Sequence, residues 1–319
     1  MKVDLAVRSH VSNFISRHEN VLRKILGAFW TLFGVSVISG AFGFSDLLSS
    51  VTVRVLLTVA GFFLPSSGIA VMLVLYLVLQ VLSLSQSIGI LVFFMFALFY
   101  IFCYSYKAKF YSMLPGMAIF YRAYIPYVGP MFSGLFGGYH EVTSIIGGSV
   151  IAYYLKIVHD AIPSISEGAD GTGALDLLST MVSGSGFYFF IASMIVLFLT
   201  VCTVKNLKVS YSWIIAVVGG TIAEMLIEFG GLMFFGQGPE IAALIGGNVI
   251  SVALGIICAL LFRNLDFSRV ERVQFEDDDY YYYVTAVPKI HVTDEDKEIK
   301  KITSGTEDSG ADGEKEVNA

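Results

Sequence analysis

The sequence predicts an all-α polytopic membrane protein. It should have about eight transmembrane helices with an inverted three-helix repeat among them, and a short cytoplasmic tail with one strand-like segment. Three observations carry that reading. The 319 residues are 55% hydrophobic and 14% charged, with mean hydropathy +0.73, whereas soluble globular chains carry about 25% charged residues. Apolar segments fall near 25–43, 51–65, 67–85, 88–105, 112–136, 142–160, 187–204, 212–235 and 241–262. The stretch EVTSIIGGSVI at 141–151 returns as EIAALIGGNVI at 240–250, and the same offset pairs Cys103 with Cys202, Lys109 with Lys208 and Gly137 with Gly236. Duplicated membrane helices frame the central site of many transporters. Chance recurrence in a small membrane alphabet is the competing explanation, and a shared acid and Gly-Gly pair weigh against it.

Residues 1–24 hold five Lys/Arg against two acids, with Val7, Val11, Phe14 and Val21 at helical spacing. That pattern fits an amphipathic arm on an anionic inner leaflet or an ordinary cytoplasmic lead-in helix. No small-residue cleavage site follows the first apolar run, so it should remain as a helix. Segment 51–65 is short for a span of about 20 residues, carries Arg54 and ends at Pro65. It is the candidate half-length or re-entrant helix, with Arg54 snorkelling to the interface. Segment 112–136 contains Pro115, Pro126 and Pro130, so it should break, and the backbone groups freed there must be buried in protein or line a wet cavity. The stretch 161–186 has acids and no Lys or Arg and reads as an external loop. The basic arm, Lys205, Lys208, Arg263, Arg269 and Arg272 read as cytoplasmic.

Parity then bears on the repeat. Copies 88–160 and 187–262 each hold three apolar segments, and an odd count makes them inverted, which is the reading favoured here. It puts Lys107 and Lys109 outside, against the charge rule. The alternative keeps both lysines inside and makes part of 112–136 re-entrant. Either way both termini should be cytoplasmic.

The region 263–302 is a cytoplasmic tail in which Tyr281, Tyr283 and Thr285 alternate with Tyr282, Val284 and Ala286, a period-two strand signal that Pro288 should end. Residues 303–319 are acidic and polar and should be disordered. The run FEDDDYYYYVTAVPKI, preceded by NLDFSRVERVQ, resembles the C-terminal signature of an uncharacterised family of bacterial integral membrane proteins. The IPYVGPMFSGLFGG stretch, the IAYYL segment and the final helix match that family in general pattern, and Thr285 stands where the family is expected to carry Lys. The resemblance implies a multi-pass protein of the bacterial cytoplasmic membrane and brings no activity with it.

Charges within apolar segments are the main functional candidates. Glu224 and Glu228 share a helical face with Gly220 and Gly231 and would suit a cation or a proton relay, or else a packing face with paired acids. Arg122 would neutralise one of them or meet an anionic solute. Glu141 and Glu240 occupy equivalent repeat positions, where acids complement a helix start. Gly147, Gly148, Gly246 and Gly247 would permit close helix approach, and a crossing of the two pairs would mark the centre of the protein. Tyr280, Tyr281, Tyr282 and Tyr283 would offer a docking strand for a cytoplasmic partner, with Glu276 to Asp279 as a solvated acidic turn. His140 has no second ligand nearby, and the three cysteines fall in apolar stretches without ligand spacing, so neither a metal site nor a cofactor is expected. No nucleophile–base set, phosphate loop or large basic patch points to catalysis or nucleic acid. The sequence leaves two readings, a small-solute or ion transporter and a membrane scaffold that recruits a partner through its tail. The bilayer is the expected surrounding, and the oligomeric state is not fixed.

Overall fold

A computed structural model describes residues 17–166, 173–207, 211–236, 241–262, 271–276 and 281–286. They fall into two units, Met1–Arg263 and Asn264–Ala319. The first is helical: α1 Glu19–Phe42, α2 Val51–Phe63, α3 Ser66–Leu84, α4 Gln86–Ser105, α5 Met113–Arg122, α6 Val128–Phe136, a 3-10 turn at Tyr139–Glu141, α7 Val142–Asp160, α8 Ile162–Ser166, α9 Ala174–Ser183, α10 Ser185–Val204, α11 Ser212–Phe235 and α12 Ile241–Phe262. The second contains an antiparallel pair, β1 Glu271–Glu276 and β2 Tyr281–Ala286, with Glu271 opposite Ala286 and Glu276 opposite Tyr281.

Six helices among the described residues are long and apolar enough to cross a membrane: those at Asn20–Phe42, Ser66–Leu84, Gln86–Ser105, Tyr139–Asp160, Ser185–Val204 and Ser212–Phe235. Helices are the form such segments must take, because hydrocarbon offers no partner for backbone N–H and C=O groups. The chain is therefore of the multi-pass membrane type. Helix α2 has 13 residues, about 20 Å of rise, short of the roughly 30 Å hydrocarbon core. Its Arg54 guanidinium folds back and donates to Ser49 O at 2.8 and 3.1 Å.

Segment 112–136 does not cross. It forms two short buried helices, α5 and α6, joined by a tight turn at 123–127. Pro115 and Pro130 each lie in the first turn of their helix, where a missing N–H breaks no helical bond. Pro126 lies in the turn itself, and Tyr124 adopts a left-handed φ of 60°. Both feet of this hairpin sit at one end of the bundle. The Glu141 carboxylate, at the start of α7, accepts from Lys109 N at 2.7 Å and Phe110 N at 3.0 Å, just before α5. The Lys205 ammonium, at the end of α10, donates to Leu135 O at 3.1 Å and Gly137 O at 2.6 Å, at the end of α6.

This re-entrant geometry corrects the inverted-repeat expectation. A segment that turns back contributes no crossing, so α4 and α10 both run towards the foot end. Helix α7 leaves the foot end, while α12 returns to it, with Gly247 near the hairpin turn and Gly255 against Val217 at the start of α11. First members are then parallel and third members antiparallel, which gives the inverted arrangement no support. Lys107 and Lys109 share the foot end with Lys205, as the charge rule favours.

The loop read as external holds the ten-residue helix α9, which buries Ala174, Leu177 and Met181 and anchors through a hydrogen bond from Tyr154 Oη to Ala174 O at 3.1 Å. Most of the basic arm, residues 1–16, lies outside the described residues, as do residues 287–319. In a cysteine-free background, Lys109→Cys and Leu207→Cys should react with an impermeant thiol reagent from one face of the membrane and Ser164→Cys from the other. Labelling of Lys109→Cys from the face that labels Ser164→Cys would contradict the re-entrant hairpin.

Candidate functional site

Helix α11 places Glu224 and Glu228 one turn apart on a single face. Glu224 is the thirteenth of its 24 residues, about 18 Å along a helix of about 36 Å, so it lies at mid-depth. The same face carries Gly220 and Gly231, and both are closed by α10: a methyl at Gly220 would meet Val201 at 2.8 Å, and one at Gly231 would meet Phe189 at 2.7 Å. The small-residue face is thus a packing seam, and the two acids are sealed within it. Glu224 is 0% and Glu228 2% exposed.

The two carboxylates differ in their partners. Glu228 Oε2 accepts from Tyr127 Oη at 2.8 Å, and its Oε1 accepts from Ser193 Oγ of α10 at 2.9 Å. Tyr127 comes from the turn of the re-entrant hairpin, so Glu228 ties that turn to α11. Glu224 has neither oxygen bonded within the protein. Asn248 of α12 lies beside it, donating its Nδ2 to Leu244 O at 3.1 Å and leaving Oδ1 without a partner. Buried polar atoms are nearly always hydrogen-bonded, so these three oxygens mark the exception in this part of the core.

Arg122 is not the counter-ion of this pair. Its Nη2 lies 2.8 Å from His159 Nε2 on α7, and His159 Nδ1 lies 3.2 Å from Ala41 O on α1. Arginine only donates, so Nε2 accepts and Nδ1 carries the proton given to Ala41 O. The chain Arg122–His159–Ala41 fastens α5, α7 and α1 at the end of the bundle opposite the feet. Sequence reasoning missed His159 because a lone histidine near a helix end carries no pattern.

The repeat glycines do not cross one another. Methyls at Gly147 and Gly148 would meet Phe99 at 2.6 Å and Met113 O at 2.9 Å, on α4 and α5. One at Gly247 would meet Tyr124 O at 2.7 Å, while Gly246 has nothing within 4 Å. Each glycine pair therefore seats a different part of the re-entrant hairpin. Glu141 is wholly buried and serves the amides before α5 at 2.7 and 3.0 Å, with Ser144 Oγ of its own helix at 3.4 Å and His140 Nε2 3.3 Å away. Lys205 had been legible only as a cytoplasmic charge. Burial lowers its ammonium below the ordinary lysine value, while the two carbonyls it reaches favour the charged form.

Glu240 and Tyr280 lie outside the described residues, and Tyr281, Tyr282 and Tyr283 fall in β2 opposite Glu276, Phe275 and Gln274. Among the described residues no group of three or more His, Cys, Asp or Glu is placed to hold a metal ion. Neither a protein family, nor a curated protein, nor a solved structure matches the chain.

Two outcomes test this packing. Lys205→Met should destabilise the purified protein by about 2–3 kcal/mol, the scale of a lost hydrogen bond to a charged group, and lower its thermal midpoint in detergent, with Lys205→Arg milder. An unchanged midpoint for Lys205→Met would remove that clasp from the account. Gly148→Ala should cost about 1–3 kcal/mol by overpacking against a backbone carbonyl, whereas Gly246→Ala should be neutral in the same melt.

Proposed function

We propose that this chain is a bacterial cytoplasmic-membrane transporter of a small solute or ion, with eight crossings and both termini in the cytoplasm. Helix α12 supplies one crossing beyond the six long apolar helices, and the short α2 supplies the other, because its Gly61 lies beside Gly27 and so returns the chain to the end where α1 begins. The shared foot end of Lys107, Lys109 and Lys205 supports its cytoplasmic placement. One observation carries the functional reading: a wholly buried carboxylate midway along α11, Glu224, with no donor at good hydrogen-bond geometry, one turn from Glu228, which accepts from the Tyr127 hydroxyl at the turn of the re-entrant hairpin. Charges inside membrane segments are costly and mark ion and solute paths. Interrupted helices at the midplane are where such paths bind their cargo. The hairpin turn and α11 would form the two sides of the gate, with the Tyr127–Glu228 bond as the contact that opens.

The second reading, a scaffold recruiting a cytoplasmic partner, draws on the β1–β2 pair. Pairing with β1 takes one edge of β2 and leaves the other for main-chain addition of a partner strand.

Proteoliposomes test both. The full chain, challenged with a panel of small ions and solutes under imposed pH and voltage gradients, should show a flux that Glu224→Gln and Glu228→Gln abolish while both variants still fold. A chain ending at Arg263 should retain that flux. Absence of flux from the intact protein, with partner capture that depends on residues 271–286, would replace the transporter with the scaffold.

A further inference from the structure

The unpartnered oxygens around Glu224 point to what the site holds. Two carboxylates one turn apart in a water-poor core cannot both stay ionised without strong repulsion and loss of hydration. Their surroundings divide the roles. Glu228 accepts from the Tyr127 hydroxyl at 2.8 Å and lies 2.9 Å from the Ser193 hydroxyl, whose one hydrogen it shares with Phe190 O, and ionised carboxylates are acceptors only. Lys156 on α7 is also within electrostatic reach of Glu228. Glu224 meets no donor at good hydrogen-bond geometry, and the Asn248 amide is the polar side chain within hydrogen-bonding reach of it. Its neighbours are Glu228 on its own helix, Tyr127 on the hairpin turn and Asn248 on α12. Arg122 is engaged by His159.

Asn248 supplies the independent observation. It is 2% exposed, its amide nitrogen is used by Leu244 O, and its Oδ1 needs a donor that no protein group provides. An ionised Glu224 has no hydrogen to offer. A carboxylic acid at Glu224 does, and its single O–H supplies the donor that Oδ1 lacks.

We propose that Glu224 is a proton-binding site, its carboxyl O–H donating to Asn248 Oδ1, with Glu228 as the fixed anion beside it. The cargo class is a single proton rather than a multivalent metal ion. Tyr127 aims its hydrogen, not its lone pairs, at Glu228, and among the described residues no set of three acid, His or Cys ligands converges. Release breaks the Glu224 O–H bond and passes the proton to water admitted when the hairpin turn leaves α11, giving hydronium and a carboxylate. Rebinding reverses the step from the other side. What that proton drives rests on the transport reading above; where it sits does not.

Infrared spectroscopy of the full chain in liposomes, titrated with pH and repeated in D2O, reads the proton directly. The wild type should show a protonated-carboxyl C=O band that shifts in D2O and fades as pH rises. Glu224→Gln should remove it, and Glu228→Gln should retain it. Asn248→Leu should move it to higher frequency by removing the acceptor, which keeps the assignment testable through a second residue. A band that is absent from the wild type, survives Glu224→Gln, is lost only in Glu228→Gln, or ignores pH would overturn the proposal. A titrating band in a protein without solute flux would leave the proton site standing and remove the transport reading.

Discussion

A polypeptide that turns back inside a membrane must find protein partners for the backbone groups it frees, and in this chain a buried anion and a half-buried cation supply them at its two feet. Glu141 takes the amides of Lys109 and Phe110 as the inward limb begins. Lys205 takes the carbonyls of Leu135 and Gly137 as the outward limb ends. An anion thus stands before the start of α5 and a cation at the end of α6, each matching the sign of the helix dipole there. Charge-assisted bonds of this kind are about twice as strong as neutral ones. The remaining helices pack around a hairpin whose feet are fixed in this way. Gly148 of α7 presses against Met113 O, and Gly247 of α12 against Tyr124 O.

The fixed feet give the turn its significance. The turn at 123–127 is held away from the feet by three contacts of different kinds: Arg122 to His159, Tyr127 to Glu228, and the close approach of Gly247. Only the second joins the turn to an ionisable pair. The acid pair and the turn meet at that hydroxyl–carboxylate bond, the contact that the proposed transport function would open.

Much of this was legible in residue types. Pro115, Pro126 and Pro130 marked the break, and Lys107 and Lys109 marked the side on which the segment begins. Counting apolar segments gave the opposite side, because hydropathy does not distinguish a buried re-entrant pair from a crossing helix. Both are apolar, and the difference lies in which end meets Glu141. In the 141–151 and 240–250 likeness, Gly148 and Gly247 both seat against the same hairpin. Arg122 was read as a partner for the acids because intramembrane charges usually pair, but His159 reaches it first from a position without sequence pattern. Helix α9 was hidden by its polar setting, although Ala174, Leu177 and Met181 keep the spacing of a buried stripe.

The distance between the feet of the hairpin tests the central claim most directly. Spin labels at Lys109→Cys and Tyr139→Cys, in a background without Cys103, Cys202 and Cys258, report it by pulsed electron resonance on protein in lipid nanodiscs. The clasp through Glu141 predicts a short separation, under about 20 Å, with a narrow distribution. A separation of about 30 Å or more, the thickness of the hydrocarbon core, would mean that residues 112–136 cross the membrane, and would contradict the account.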